Sequence, residues 1–101
     1  MENFRLKVFR TVAMHLNFRR AAEELLLTQP AVTQQIHALE EEVGIALFDR
    51  TGGRVKLTAS GELLRVYAER LAALSSEALE ALAATNGKTA GELAVGASQT
   101  N

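Results

Sequence analysis

From Met1 to Val43 the chain holds no glycine and a single proline, Pro30. That scarcity of breakers confines the N-terminal half to helices joined by short turns. Between residues 4 and 14, Phe4, Leu6, Val8, Phe9, Val12 and Ala13 favour a helical period, with Arg5, Lys7 and Arg10 interleaved. Asn17 is a good N-cap for a second, short helix, in which Phe18, Ala21, Ala22 and Leu25 recur at i, i+3, i+4 and i+7. Thr28 or Gln29 caps a third helix, since Pro30 is tolerated in a first turn whose N–H groups have no intrahelical partner. Gly44 ends it. Within this helix Val32, Ile36, Leu39 and Val43 form a core stripe, while Pro30, Thr33, Gln34 and His37 share another, neutral and polar face. Only the few residues around "LLTQ" separate helices two and three, a spacing that predicts a helix-turn-helix.

Beyond Leu47 the period changes to two: Phe48 and Arg50 precede "TGG", and Val55 and Leu57 alternate with Arg54 and Lys56. Gly52 and Gly53 supply the positive-φ positions of a tight hairpin. Thr58 then caps a helix running to about Thr85, roughly 40 Å long at 1.5 Å per residue. The expected fold is mainly α: a winged helix-turn-helix over residues 1–58, then a long linker helix over 59–87. Leu64, Tyr67, Leu71, Leu74, Ala78 and Ala81 keep a 3,4 spacing, broadened by Leu63, Leu79 and Leu82. Such a seam needs a partner helix, so Leu64, Tyr67, Leu71, Leu74, Ala78 and Leu82 are expected dimerisation residues. Residues 88–101, "KTAGELAVGASQTN", read as the first strand of a further, truncated domain with no second strand to pair with. The gene is therefore expected to continue past Asn101, and a native stop codon there would contradict this reading.

Composition removes several function classes. With no cysteine among 101 residues, a disulfide framework and thiolate metal sites are excluded, and His15 and His37 stand far apart in sequence. No metal or cofactor is expected. No window matches the length of an apolar membrane span, and the N-terminus "MENFRLKVFR" is charged where a signal peptide is apolar. A cytoplasmic protein with no membrane partner is expected. The glutamates lie in solvated runs, the serines have no nearby histidine, and Gly52-Gly53 is a turn, so no catalytic constellation can be assembled.

The net charge of −1 offers no general attraction for an anionic partner, but the charges are blocked. Residues 1–22 carry net +4, residues 23–49 carry six acidic groups and no Lys or Arg, and residues 50–56 return Arg50, Arg54 and Lys56. Two basic segments thus flank a neutral, then acidic one. On the neutral face, glutamine can pair bidentately with adenine and threonine can bond base edges or touch a thymine methyl. Gln29, Thr33 and Gln34 are candidate readers of DNA bases near the N-terminal end of helix three. Arg19 and Arg20 fall in the first turn of helix two, where the macrodipole disfavours cations unless a phosphate lies close. Arg54 at the hairpin tip suits a minor groove, and Arg50 at its base suits backbone phosphate. Gln35 and His37 admit two readings, a DNA contact (backbone for Gln35, base for His37) or a solvated helix residue. Arg5, Lys7 and Arg10 read as a solvated face, and Glu40 to Glu42 as surface charges remote from DNA.

Through "LKVFRTVA", "NFRRAAEELLLTQPAVTQQIHALEEEVGIALFDR", "RVKLTASGELL" and "GELAVGAS", the chain resembles the N-terminal segment of LysR-type transcriptional regulators. The order of AA, TQPAV, ALE, LF-x-R and LT-x-x-G carries the resemblance. It implies a winged helix-turn-helix that binds double-stranded promoter DNA, a linker helix pairing antiparallel with that of a second subunit, and a C-terminal effector-binding domain. Full-length members commonly form tetramers and answer to a small-molecule effector. By resemblance, Gln29, Pro30, Thr33 and Gln34 approach bases, Thr28, Arg20 and Arg50 approach backbone, and Arg54 approaches the minor groove. Ser98 and Thr100 would border the effector cleft. Three positions depart from the family pattern: Gln34 is often Arg, Arg19 stands where Ser or Thr is usual, and Gly53 is often basic. The rival readings are a helical oligomerisation or adaptor module and a winged-helix regulator outside this family, such as a molybdate-responsive one.

Overall fold

A computed structural model describes residues 3–86. They form α1 (Phe4–His15), α2 (Phe18–Leu25), α3 (Gln29–Val43), β1 (Phe48–Asp49), β2 (Lys56–Leu57) and α4 (Ala59–Asn86). The winged helix-turn-helix and the long helix are both present. The strand expected within residues 88–101, with Ser98 and Thr100, lies outside the described residues.

Side-chain caps set the helix starts. Asn3 Oδ1 accepts from the backbone N–H of Arg5 at 2.8 Å, Asn17 Oδ1 from Arg20 at 2.9 Å, and Thr28 Oγ1 from Ala31 at 3.2 Å. Each bond satisfies a donor that a helix N-terminus leaves unpaired. Thr28 is therefore the cap of α3, Gln29 its first residue, and Pro30 lies in the first turn. Gly44 closes α3 at φ +74. The turns after α1 and α2 are closed instead by Leu16 and Leu26, in left-handed backbone at φ 50 and 58, a conformation that costs an L-residue about 1–2 kcal/mol.

Val8, Phe9 and Val12 of α1, Ala21 of α2, and Val32 and Ile36 of α3 are fully buried and form the centre of a three-helix core. Alanine at positions 21 and 22 leaves α2 thin enough to lie against both neighbours. The stripe on α3 stops earlier than its period suggests: Val43, expected in the core, is 47 % exposed because the last turn runs past the edge of the core. Two acidic residues expected on the open surface have structural partners. Glu42 pairs with Arg5 of α1 at 2.9 Å. The Glu40 carboxylate accepts from the backbone N–H of Leu47 at 2.8 Å and of Phe48 at 3.2 Å, charge-assisted bonds stronger than neutral ones.

The wing is shorter than the sequence alternation indicates. Phe48 pairs with Leu57 and Asp49 with Lys56, and no further pairs extend the ladder, because the chain leaves it at Arg50 and closes through a single 3-10 turn at Thr51–Gly53. Gly52 and Gly53 there adopt φ +72 and +74, as expected of them. The wing returns to the body at Thr58, whose N–H donates to the Leu47 carbonyl at 3.0 Å. Its hydroxyl donates to the Ala46 carbonyl at 2.7 Å and accepts from the Gly61 N–H at 3.0 Å, capping α4. Gly61 is buried against this junction: a Cβ there would run into the Leu47 carbonyl oxygen and come within 2.9 Å of Leu57 Cδ2.

Beyond that contact α4 covers the core with Ala68 and Leu64, and an Arg10–Glu69 ion pair at 3.8 Å ties it to α1. Leu64, expected on a partner seam, packs partly against its own domain. Replacing Gly61 with Ala should lower stability by about 1–3 kcal/mol through overpacking, despite the roughly 1 kcal/mol that alanine gains in helix propensity. A denaturant midpoint at or above that of the parent would contradict the close contact.

Candidate nucleic-acid interface

Partners sort the arginines into two groups. Among the described residues, Arg5, Arg10, Arg19 and Arg65 pair with Glu42, Glu69, Glu23 and Glu62 at 2.9 to 3.8 Å. Arg70 lies over the Tyr67 ring at 5.2 Å. Arg20, Arg50 and Arg54 have no carboxylate partner among the described residues, and all three are exposed. Arg20 occupies the first turn of α2, where the N-terminal end of the macrodipole disfavours a cation. Nothing within the described chain offsets that cost.

Arg19, Arg50 and Arg54 line one open concavity between the starts of α2 and α3 and the wing, together with Gln29, Asn17 and Gly53. The Arg50 guanidinium carbon lies 4.1 Å from the centre of the Phe18 ring, which forms part of the same wall. Asp49 steadies the wing from the other side. Its carboxylate accepts from the Thr51 backbone N–H at 2.9 Å and from the Thr51 hydroxyl at 2.8 Å. These bonds, with Lys56 nearby, hold the Asp49 carboxyl below the usual carboxylate range.

The uncharged face of α3 is divided between surroundings. Gln29 lies with the arginines, Pro30 is exposed beside it, and Thr33 is half-buried one turn further on. Gln34 and His37 are exposed and line a separate, shallow concavity with Ala38, Glu41 and Ile45. The Thr28 hydroxyl caps α3 from an exposed position. Gln35 is half-buried on the flank towards α1, where its Oε1 accepts from Arg5 Nε at a long 3.4 Å. Of the candidates on α3, it alone bonds to another helix.

Phe18 reads from the sequence only as a packing residue, and nothing local marks it otherwise, since Arg50 is distant along the chain. His15 Nε2 lies 2.6 Å from the Glu24 carboxylate, a contact that links the end of α1 to α2. Among the described residues no three His, Cys, Asp or Glu side chains cluster as metal ligands, and no helix is long and apolar enough to cross a membrane. On α4, Leu63, Tyr67, Leu71, Leu74 and Leu82 are about half exposed or more, and Ala78 is half-buried.

Residues 4–62 match the model of the bacterial regulatory helix-turn-helix protein, lysR family. A probable RuBisCO transcriptional regulator of Cyanophora paradoxa is 42% identical over 95 residues, 94% of this chain and 29% of that protein. The HTH-type transcriptional regulator CfxR of Cupriavidus necator is 45% identical over 91 residues, 90% of this chain and 29% of CfxR. The chain thus spans less than a third of the length of these curated relatives. Among solved structures, BenM_DBD in complex with catB site 1 DNA superposes with a TM-score of 0.82 at 31% identity, over 88% of this chain and all of that one. The uncharged α3 face, the unpaired arginines and the wing therefore stand on a helix-turn-helix of known type, and the chain belongs to the LysR family of bacterial regulatory proteins.

Proposed function

We propose that this chain is the DNA-binding portion of a sequence-specific transcription regulator and that it takes double-stranded promoter DNA across α3 and the wing. The observation that carries this reading is the sorting of the arginines. Exposed arginines without carboxylate partners gather beside the uncharged start of α3, while most other arginines are neutralised. Phosphates would satisfy the arginines, and counterion release would supply sequence-independent affinity. Discrimination falls to uncharged donors and acceptors on base edges. Gln29, Pro30, Thr33, Gln34 and His37 are assigned to bases and Arg54 to the minor groove. Thr28, Arg19, Arg20 and Arg50 are assigned to backbone, and Gln35 at most to its margin.

The exposed leucine stripe of α4 supports a homodimer and hence a two-fold related site. Residues 1–58 then act as the DNA-binding unit, 59–87 as the dimerisation helix, and 88–101 as the start of an effector-binding domain. A tetramer, and a small effector bordered by Ser98 and Thr100, belong to the longer protein. The named relatives are transcriptional regulators, and the same role, in the cytoplasm and without catalysis, is proposed for this chain.

Gln29→Ala should cost about 1–3 kcal/mol of discrimination at one base pair, whereas Arg54→Ala should weaken binding to many sequences alike and flatten the salt dependence. Competition binding against single-base variants of a selected duplex separates the two, and uniform weakening by Gln29→Ala would remove its base-reading role. Leu71→Asp should yield monomers in sedimentation velocity. Dimers that survive it would remove the stripe from the interface.

A further inference from the structure

We infer that Phe18 is a positioning residue for DNA binding, a rigid aromatic platform that presets the Arg50 guanidinium for one backbone phosphate. The inference rests on the DNA-binding reading and adds to it a residue that touches no DNA. Phe18 is 6 % exposed, and its ring is held edge-on to Phe48 at 5.9 Å, which in turn meets Phe9 at 5.4 Å. The platform is thus continuous with the core and has little freedom to move. Arg50 reaches it because the backbone departs from the strand at that residue, with φ −110 and ψ 14.

A guanidinium over a ring spends its face on the contact, while its five N–H donors lie in its plane and point outward. Arg50 makes no hydrogen bond or ion pair within the described chain, so those donors are open to a phosphate in the concavity that Arg19 and Arg54 also line. An arginine free in solvent must give up several rotamers when it grips a phosphate. One already held by a ring has less to lose.

The test is a double-mutant cycle, read as affinity for a duplex selected from random sequence by the parent protein, between about 50 and 200 mM salt. Phe18→Leu keeps an apolar side chain but removes the ring, and should weaken binding about two- to tenfold. Phe18→Trp should restore it. In the Phe18→Leu background, Arg50→Ala should cost distinctly less than it costs alone. If the two factors simply multiply, Phe18 acts only through general packing and the inference is wrong. If Phe18→Leu shows no cooperative melting transition, Arg50→Lys decides instead: it keeps the charge without the planar group and should bind nearly as poorly as Arg50→Ala. Parent-like binding by Arg50→Lys would overturn the inference while leaving DNA binding intact. A parent protein without salt-dependent affinity for any duplex would instead overturn the DNA-binding reading, and the role of Phe18 with it.

Discussion

The Glu40 carboxylate holds two consecutive backbone N–H groups, those of Leu47 and Phe48, and through them ties the segment that follows α3 back to the end of that helix. The segment it anchors is where three parts of the molecule meet. Leu47 and Phe48 are buried in the core, the Leu47 carbonyl receives the Thr58 N–H, and Gly61 rests against that same carbonyl. The hairpin starts from this point and α4 leaves from it. Buried backbone donors need partners, and here a side chain from the end of α3 supplies them where neither helix nor sheet can.

The distribution of charge depends on this architecture. Packing α1 against α3 brings Arg5 beside Glu42, and packing α4 against α1 brings Arg10 beside Glu69, so cations near those seams are neutralised. Pairs this exposed add little stability individually. Their larger effect is on the electrostatic surface: among the described arginines, those without a carboxylate partner are Arg20 at the start of α2, Arg50 and Arg54 at the wing, and Arg70, which lies over Tyr67 on α4. A chain with net charge of −1 can in this way present one locally cationic face, which net charge alone conceals.

Features that depend on near neighbours in sequence are legible. Asn17, Thr28 and Gly44 mark helix ends because a cap acts within about three residues of itself, and Gly52-Gly53 marks the turn because backbone sterics are local. The features that escape a reading of the sequence depend on the chain returning to itself. Glu40 looks like one of three solvated glutamates, since its partners are set by a loop that folds back. Val43 continues the apolar period but not the core, because periodicity gives a direction around a helix and not the distance to the edge of the surface it packs on. Arg50 reads as a strand residue, although the ring it lies over comes from α2. In the motif LT-x-x-G the threonine is legible as the cap of α4, whereas only the structure supplies the reason for the glycine, a missing side chain where Leu47 passes. For the site, the residue types on α3 are legible, whereas their division between two concavities is not.

Gly61 has one more consequence, which concerns leverage. The 28-residue α4 extends about 42 Å at 1.5 Å per residue, and its direction is set by its N-terminal part, from Gly61 on the Leu47 carbonyl to Ala68 and Glu69 against the core and α1. A tilt of about 10° at that end would sweep the far end through roughly 7 Å for a rod of this length. The space beside Gly61 is already filled by the Leu47 carbonyl and the Leu57 side chain. The direction in which α4 projects therefore depends in part on the same few atoms that seat the wing.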